Sequence, residues 1–137
     1  MTQQTLLACA LDRIDTANRA DPNIEQVGGI PLPKEYAYSQ HMTRWLFELE
    51  PQPSERMQIA CRAQHIERWT IPRSDFPEGR KAYYEWRQAC GRMHGRRAAE
   101  IMAECGYPPE ECERVELILT KRKLREDEDT QLLEDVA

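Results

Sequence analysis

A chain of 137 residues, 40% hydrophobic and 31% charged, suits one domain that buries roughly two-thirds of its unfolded surface, and is too apolar for a disordered segment. No stretch approaches the ~20 consecutive apolar residues of a membrane-spanning helix, and the first residues, Met1-Thr2-Gln3-Gln4-Thr5-Leu6-Leu7, lack the basic start of a signal peptide. The net charge of −5 is unevenly spread, with −3 over residues 1–61, +5 over 62–97 and −7 over 98–137, so the middle of the chain suits a small anionic ligand of phosphate type.

Leu6, Leu7, Ala10, Leu11, Ile14 and Ala17 recur every three or four residues and predict a first helix over about 5–19. Asp21-Pro22-Asn23 stops it. The stretch 21–33, holding Pro22, Gly28, Gly29, Pro31 and Pro33, reads as a loop with turns. A second helix over about 34–50 puts Tyr38, His41, Met42, Trp45, Leu46 and Leu49 on one side, and Pro51 and Pro53 end it. Ser54 offers an N-cap to a third helix with Met57, Ala60, Cys61, Gln64 and His65 along one stripe. That helix must stop near Trp69, because Pro72 disfavours helix in the residue before it.

A basic loop follows over 70–77. A fourth helix is expected over about 78–104, capped by Ser74 or Asp75 with Pro77 in its first turn, and with a break expected at Gly91 or Gly95. Gly106 reads as the residue that closes it. A fifth helix starts at Pro109, carries Val115, Ile118 and Leu119, and ends in Lys121-Arg122-Lys123, as the helix dipole favours. A sixth runs from Glu128 to Ala137 through Leu132, Leu133 and Val136, and its apolar, uncapped end predicts a last helix cut short. The expected architecture is a single all-α domain over 1–137, a bundle of five to six helices. The five cysteines are odd in number and show no C-x-x-C spacing, so they read as reduced residues of a cytoplasmic protein.

The chain's three histidines, His41, His65 and His94, fall on successive helices, and Asp135 lies on the last. Neutral imidazole and carboxylate are ligands that a divalent metal takes. A lone histidine on an apolar face is more often a hydrogen-bonded core residue, so the argument rests on the joint pattern. His41 and His65 lie on consecutive, antiparallel helices at heights that differ by about 3 Å, at ~1.5 Å per residue. Arg68, Arg73, Arg80 and Lys81 cluster about the basic loop, where Arg73 is constrained by Pro72. Trp69, Tyr83, Tyr84 and Trp86 flank them, and aromatic rings among arginines can stack a base, although at helical spacing such rings are more often core. The acidic run Glu126-Asp127-Glu128-Asp129 argues against long nucleic acid. Cys61, one turn before His65, reads as packing rather than a nucleophile.

The order His41, then Ala63-Gln64-His65-Ile66, then His94-Gly95-Arg96-Arg97-Ala98-Ala99-Glu100-Ile101, then Glu134-Asp135 resembles the HD phosphohydrolase superfamily. In that superfamily a histidine, a His-Asp pair and a distal aspartate bind a divalent metal inside a helical bundle. The resemblance implies His41 as the first histidine, His65 as that of the pair, Asp135 as the distal aspartate, and His94 as the extra histidine of two-metal members. More closely, the run from His65 to Arg73, with Tyr83, Trp86-Arg87 and Glu134-Asp135, is similar to the domain of unknown function 4202 family, over nearly the whole chain; this implies an HD-like helical fold.

One position departs from the HD pattern. Ile66 stands where the pair has its aspartate and cannot ligate, and Glu67 is turned a further ~100° around a helix. His41, His65 and Asp135 remain, a two-histidine, one-carboxylate set suited to Fe, Mn or Zn. The resemblance therefore implies a metal-dependent hydrolase of a small phosphate ester or nucleotide, in which metal lowers the pKa of a bound water toward ~7. His94 would serve as second ligand or acid–base group, Arg73 and Arg68 would hold the phosphoryl oxygens, and Arg80, Lys81 and Trp69 would complete the substrate site. The rival that Ile66 supports is a non-catalytic module binding phosphate or nucleotide. An iron-dependent oxygenase and a helical scaffold with structural histidines stand behind it.

Overall fold

The computed structural model describes residues 5–120 together with Leu132, Leu133, Asp135 and Val136. Over these residues the chain is a predominantly α-helical bundle, as its periodicity predicts. Helix α1 spans Leu6–Arg19, α2 Lys34–Leu49, α3 Glu55–Arg62, α4 Arg80–Cys105 and α5 Pro109–Thr120; Leu132, Leu133, Asp135 and Val136 are also helical. The expected basic end of α5 at 121–123, the expected start of the last helix at Glu128, and Glu134 lie outside the described residues.

Local chemistry sets the helix ends. Thr5 Oγ1 accepts the Ala8 N–H at 3.0 Å to open α1, and Ser54 Oγ accepts the Met57 N–H at 3.2 Å to open α3. Helix α2 takes its cap from a distance: buried Asp21 accepts the Glu35 N–H at 2.9 Å on one carboxylate oxygen and the Asn23 N–H on the other. Gly106, at φ 106°, closes α4 in the left-handed conformation that glycine adopts without strain.

Four sequence expectations change in the structure. Residues 24–33 are not a loop but an antiparallel β-hairpin, β1 (Ile24–Val27) and β2 (Ile30–Pro33), in register Ile24 with Pro33 and Val27 with Ile30. Gly28 (φ 59°) and Gly29 (φ 82°) supply the two positive φ values of a two-residue hairpin turn. Neither strand alternates apolar with polar residues, so periodicity carries no sign of them. Helix α3 ends at Arg62, leaving His65 in a turn. Helix α4 begins after Gly79, since Arg73–Asp75 form a short 3₁₀ turn and Phe76, preceding Pro77, is extended. The break expected at Gly91 or Gly95 does not occur.

Those two glycines instead let α5 approach. A Cβ on Gly95 would lie 2.9 Å from the Glu116 carbonyl oxygen, and one on Gly91 would lie 3.4 Å from that of Leu119. The core gathers Ala10 and Ile14 of α1, Met42 and Leu46 of α2, Met57, Ile59 and Ala60 of α3, Ala98, Ile101 and Met102 of α4, and Val115 and Ile118 of α5, with Leu133 buried against them. Cysteine also departs from expectation. Cys9 of α1 and Cys105 at the end of α4 form a disulfide, their Cα atoms 5.9 Å apart and 96 residues apart in sequence. Helix packing brings them together, which sequence spacing does not reveal. Cys61, Cys90 and Cys112 are buried thiols.

Candidate functional site

The site grows from the turn after α3. Asn18 of α1 donates to the Arg62 carbonyl at 3.1 Å and fixes the end of the helix. The chain then reverses through Glu67, whose φ of 55° lies in the left-handed region that a non-glycine residue seldom enters. Arg97 Nε of α4 donates to the Glu67 carboxylate at 3.0 Å and pins the reversal. The Ile66 side chain is fully buried in the core, while its carbonyl oxygen lies 2.8 Å from His94 Nδ1. A carbonyl can only accept, so Nδ1 of His94 carries a proton and the neutral ring keeps its lone pair on Nε2.

His65 lies on the other side of the turn. Its ring stacks on Tyr38 of α2, with centroids 4.1 Å apart and planes 7° from parallel, and its Nδ1 faces Oε1 of Glu35 at 3.4 Å. Glu35 is itself buried, one helical turn before Tyr38, so a single face of α2 supplies both the carboxylate and the stacking ring. The His65 and His94 rings are 6.1 Å apart.

Both imidazoles line a cleft of about 380 Å³. Its charged walls are cationic: Arg68 follows the turn, and Arg87 rises from α4. Tyr38, Tyr84 and Trp86 give it aromatic surface, Gln64 and Thr120 add neutral polar groups, and no Asp or Glu appears among its described lining residues. The Arg68 guanidinium sits over the Trp86 ring at 4.9 Å, and Trp86 Nε1 donates to the Ile71 carbonyl at 2.7 Å, anchoring the 70–77 loop to α4. Cys90 also lines the cleft, where burial pushes its thiol up and Arg68 opposes the shift. A second cleft of about 280 Å³ shares Arg68 and Trp86 and adds Asp21, Lys34, Glu35, Trp69 and Arg73.

The expected site residues divide. His65, His94 and Arg68 come together. His41 does not join them: it is exposed, and its Nε2 accepts from Trp45 Nε1 at 2.8 Å. The inward stripe of α2 is Glu35, Ser39, Met42 and Leu46, and His41 stands one residue off it, turned about 100° away. Asp135 is exposed between buried Leu133 and Val136. Among the described residues no three of His, Cys, Asp and Glu gather closely enough to hold a metal ion. The described donors therefore do not fit the expected His41–His65–Asp135 set for Fe, Mn or Zn.

Arg73 turns back on its own loop, its Nη1 donating to the carbonyls of Phe76 and Pro77 at 3.2 and 2.8 Å, and lines the second cleft rather than the imidazole one. Trp69 also lines that second cleft, while Arg80 and Lys81 are exposed at the start of α4 and line neither. Cys61 is fully buried and its thiol is pushed up to about 12, which fits packing and not nucleophilic attack. Sequence patterns included Gln64 and Arg87 without giving either a site role, and passed over Glu35. An acid in the first turn of a helix reads as a partner of the helix dipole, and only the fold shows Glu35 against His65.

A family model described as Domain of unknown function (DUF4202) matches residues 8–137, and the chain belongs to that family. No curated protein matches the chain, and no solved structure does.

Proposed function

We propose that this member of the DUF4202 family binds a small phosphorylated ligand with an aromatic ring, of the nucleotide class, in the cleft between α2, α4 and the turn after α3. One observation carries the reading: the charged side chains lining the cleft are Arg68 and Arg87, joined by two imidazoles, with no carboxylate among the described lining residues. An arginine fork grips two phosphoryl oxygens at once. Tyr84, Trp86 and Tyr38 offer faces for a planar ring. A volume of about 380 Å³ lies within the roughly 300–1,000 Å³ of small-molecule sites. The acidic balance of residues 1–61 and 98–137 opposes a long polyanion, so the partner is a small molecule rather than DNA or RNA.

The HD-like organisation remains part of this reading, supported by His65 and His94 sharing one cleft. Because the described donors do not form the implied metal set, the reading assigns no step to a metal. It keeps a cytoplasmic setting on the supply of small phosphorylated metabolites there, against which the Cys9–Cys105 disulfide counts, since such bonds are rare in that compartment. No described helix is long and apolar enough to cross a membrane.

Thermal denaturation with AMP, adenosine or inorganic phosphate tests the reading. AMP at a hundred times its dissociation constant adds about 2.7 kcal/mol, which raises the midpoint on the order of 5–10 °C for a chain of this size. The rise persists in EDTA, exceeds that with adenosine, and shrinks in Arg68→Ala. No rise with AMP, or one that EDTA abolishes, contradicts the proposal.

A further inference from the structure

We infer that His65 and His94 act as an acid–base pair that hydrolyses a small phosphate ester without a metal ion, an activity that rests on the phosphate-binding reading above. Each ring is oriented by a different partner. His94 is 4% exposed and donates its Nδ1 proton to the Ile66 carbonyl, so Nε2 is the atom of the neutral ring that can accept a proton. His65 faces the buried Glu35 carboxylate through Nδ1 at 3.4 Å, a contact in which the ring is the proton donor. One cleft thus holds two imidazoles oriented differently, one toward a backbone carbonyl and one toward a carboxylate; the first takes the role of base and the second that of acid. With centroids 6.1 Å apart, the rings can flank one phosphoryl group. The left-handed Glu67 between Ile66 and Arg68 is a backbone outlier of the kind that clusters at functional sites.

The step balances. His94 Nε2 takes a proton from water as the water oxygen bonds to phosphorus, and the bond from phosphorus to the alkoxyl oxygen breaks. The His65 imidazolium gives that oxygen a proton, so alcohol and inorganic phosphate leave. His65 regains a proton from solvent and His94 loses one. Arg68 offsets the charge on the non-bridging oxygens. Glu35 is a positioning residue that acts through His65. Among the described residues, the groups facing the pair are Glu35 and Tyr38 from α2, Arg68 beside the turn, and Tyr84, Arg87 and Cys90 from α4; α5 contributes uncharged Leu119 and Thr120.

The test follows turnover of AMP and p-nitrophenyl phosphate by the whole chain in EDTA, alongside AMP binding by calorimetry. Turnover is expected to survive the chelator with a bell-shaped pH profile. His94→Gln lowers it on both substrates by about 100-fold or more, within the range of general acid–base catalysis. His65→Gln does so on AMP but costs under about tenfold on p-nitrophenyl phosphate, whose leaving group departs without a proton. Glu35→Gln moves the alkaline limb to lower pH, because the charged form of His65 loses its carboxylate. His65 is partly exposed, so its variant carries the test if His94→Gln fails to fold. A protein that binds AMP yet shows no EDTA-resistant turnover, or whose His65→Gln variant loses equally on both substrates, overturns the inference and leaves the binding site standing. A protein that does not bind AMP overturns both.

Discussion

His94 shows how a single partner fixes a side chain's chemistry. The Ile66 carbonyl sets its proton on Nδ1, so ¹⁵N NMR on the neutral ring is expected to show Nδ1–H and an unprotonated Nε2; the opposite tautomer would contradict the site as described. Arg62 Nη1 donates to both oxygens of Asp15 at 2.7 Å, and the two side chains are only 13% and 16% exposed. Arg62→Ala should therefore cost about 2 kcal/mol in urea unfolding, below the 3–5 kcal/mol of a fully buried pair but above an exposed one. A loss under about 0.5 kcal/mol would mean that the pair does not hold α3 to α1. Residue types and their order pointed to His65, His94 and Arg68, which the fold places along one cleft, because imidazoles are scarce in this chain and chemically distinctive. They misplaced His41, since the inward stripe of α2 includes Glu35 and Ser39, which an apolar count ignores. Arg73 failed for another reason: the carbonyls of its own loop satisfy its guanidinium.

At the scale of elements, α4 against α5 gives the sharpest prediction. Alanine raises helix propensity over glycine by about 0.8–1 kcal/mol. At Gly95 that gain meets a backbone oxygen 2.9 Å from the added Cβ, which cannot swing aside like a flexible side chain. Gly95→Ala should lose about 1–3 kcal/mol net, whereas Gly91→Ala, with 3.4 Å of room, should be near neutral. Chemical denaturation checks both, and equal effects would contradict the close approach. Helices α1, α2 and α5 were legible within a residue or two at the ends described, because three-to-four-residue apolar spacing and flanking prolines agree there. The hairpin was not, since Ile24, Val27 and Ile30 are exposed and no buried face imposes alternation. The length of α3 was not legible either: the stripe from Met57 to His65 continues in sequence, but the backbone reverses at Glu67, a choice enforced by tertiary contact with Arg97.

On the scale of the whole molecule, Cys9–Cys105 joins the first helix to the end of the fourth and closes a loop of 96 residues. A loop of that length contributes about 4.7 kcal/mol by the chain-entropy account and disulfides typically deliver less, so Cys9→Ala or reduction should lower the unfolding free energy by about 2–4 kcal/mol; an unchanged midpoint would show that the bond adds nothing to stability. The bond lies on α1 and α4, away from the cleft residues, so reduction should leave ligand affinity intact wherever the fold persists. Charge is arranged at this scale too, with a cationic middle segment between two acidic ones, and the cleft draws Arg68 and Arg87 from that middle. The most direct measurement is calorimetric titration of AMP, in EDTA, into the wild type and Arg68→Ala at two salt concentrations. The expected result is wild-type binding that weakens as salt rises and falls by about tenfold or more in the variant. Absence of binding, or equal affinity in the two proteins, would contradict a phosphate site at this cleft.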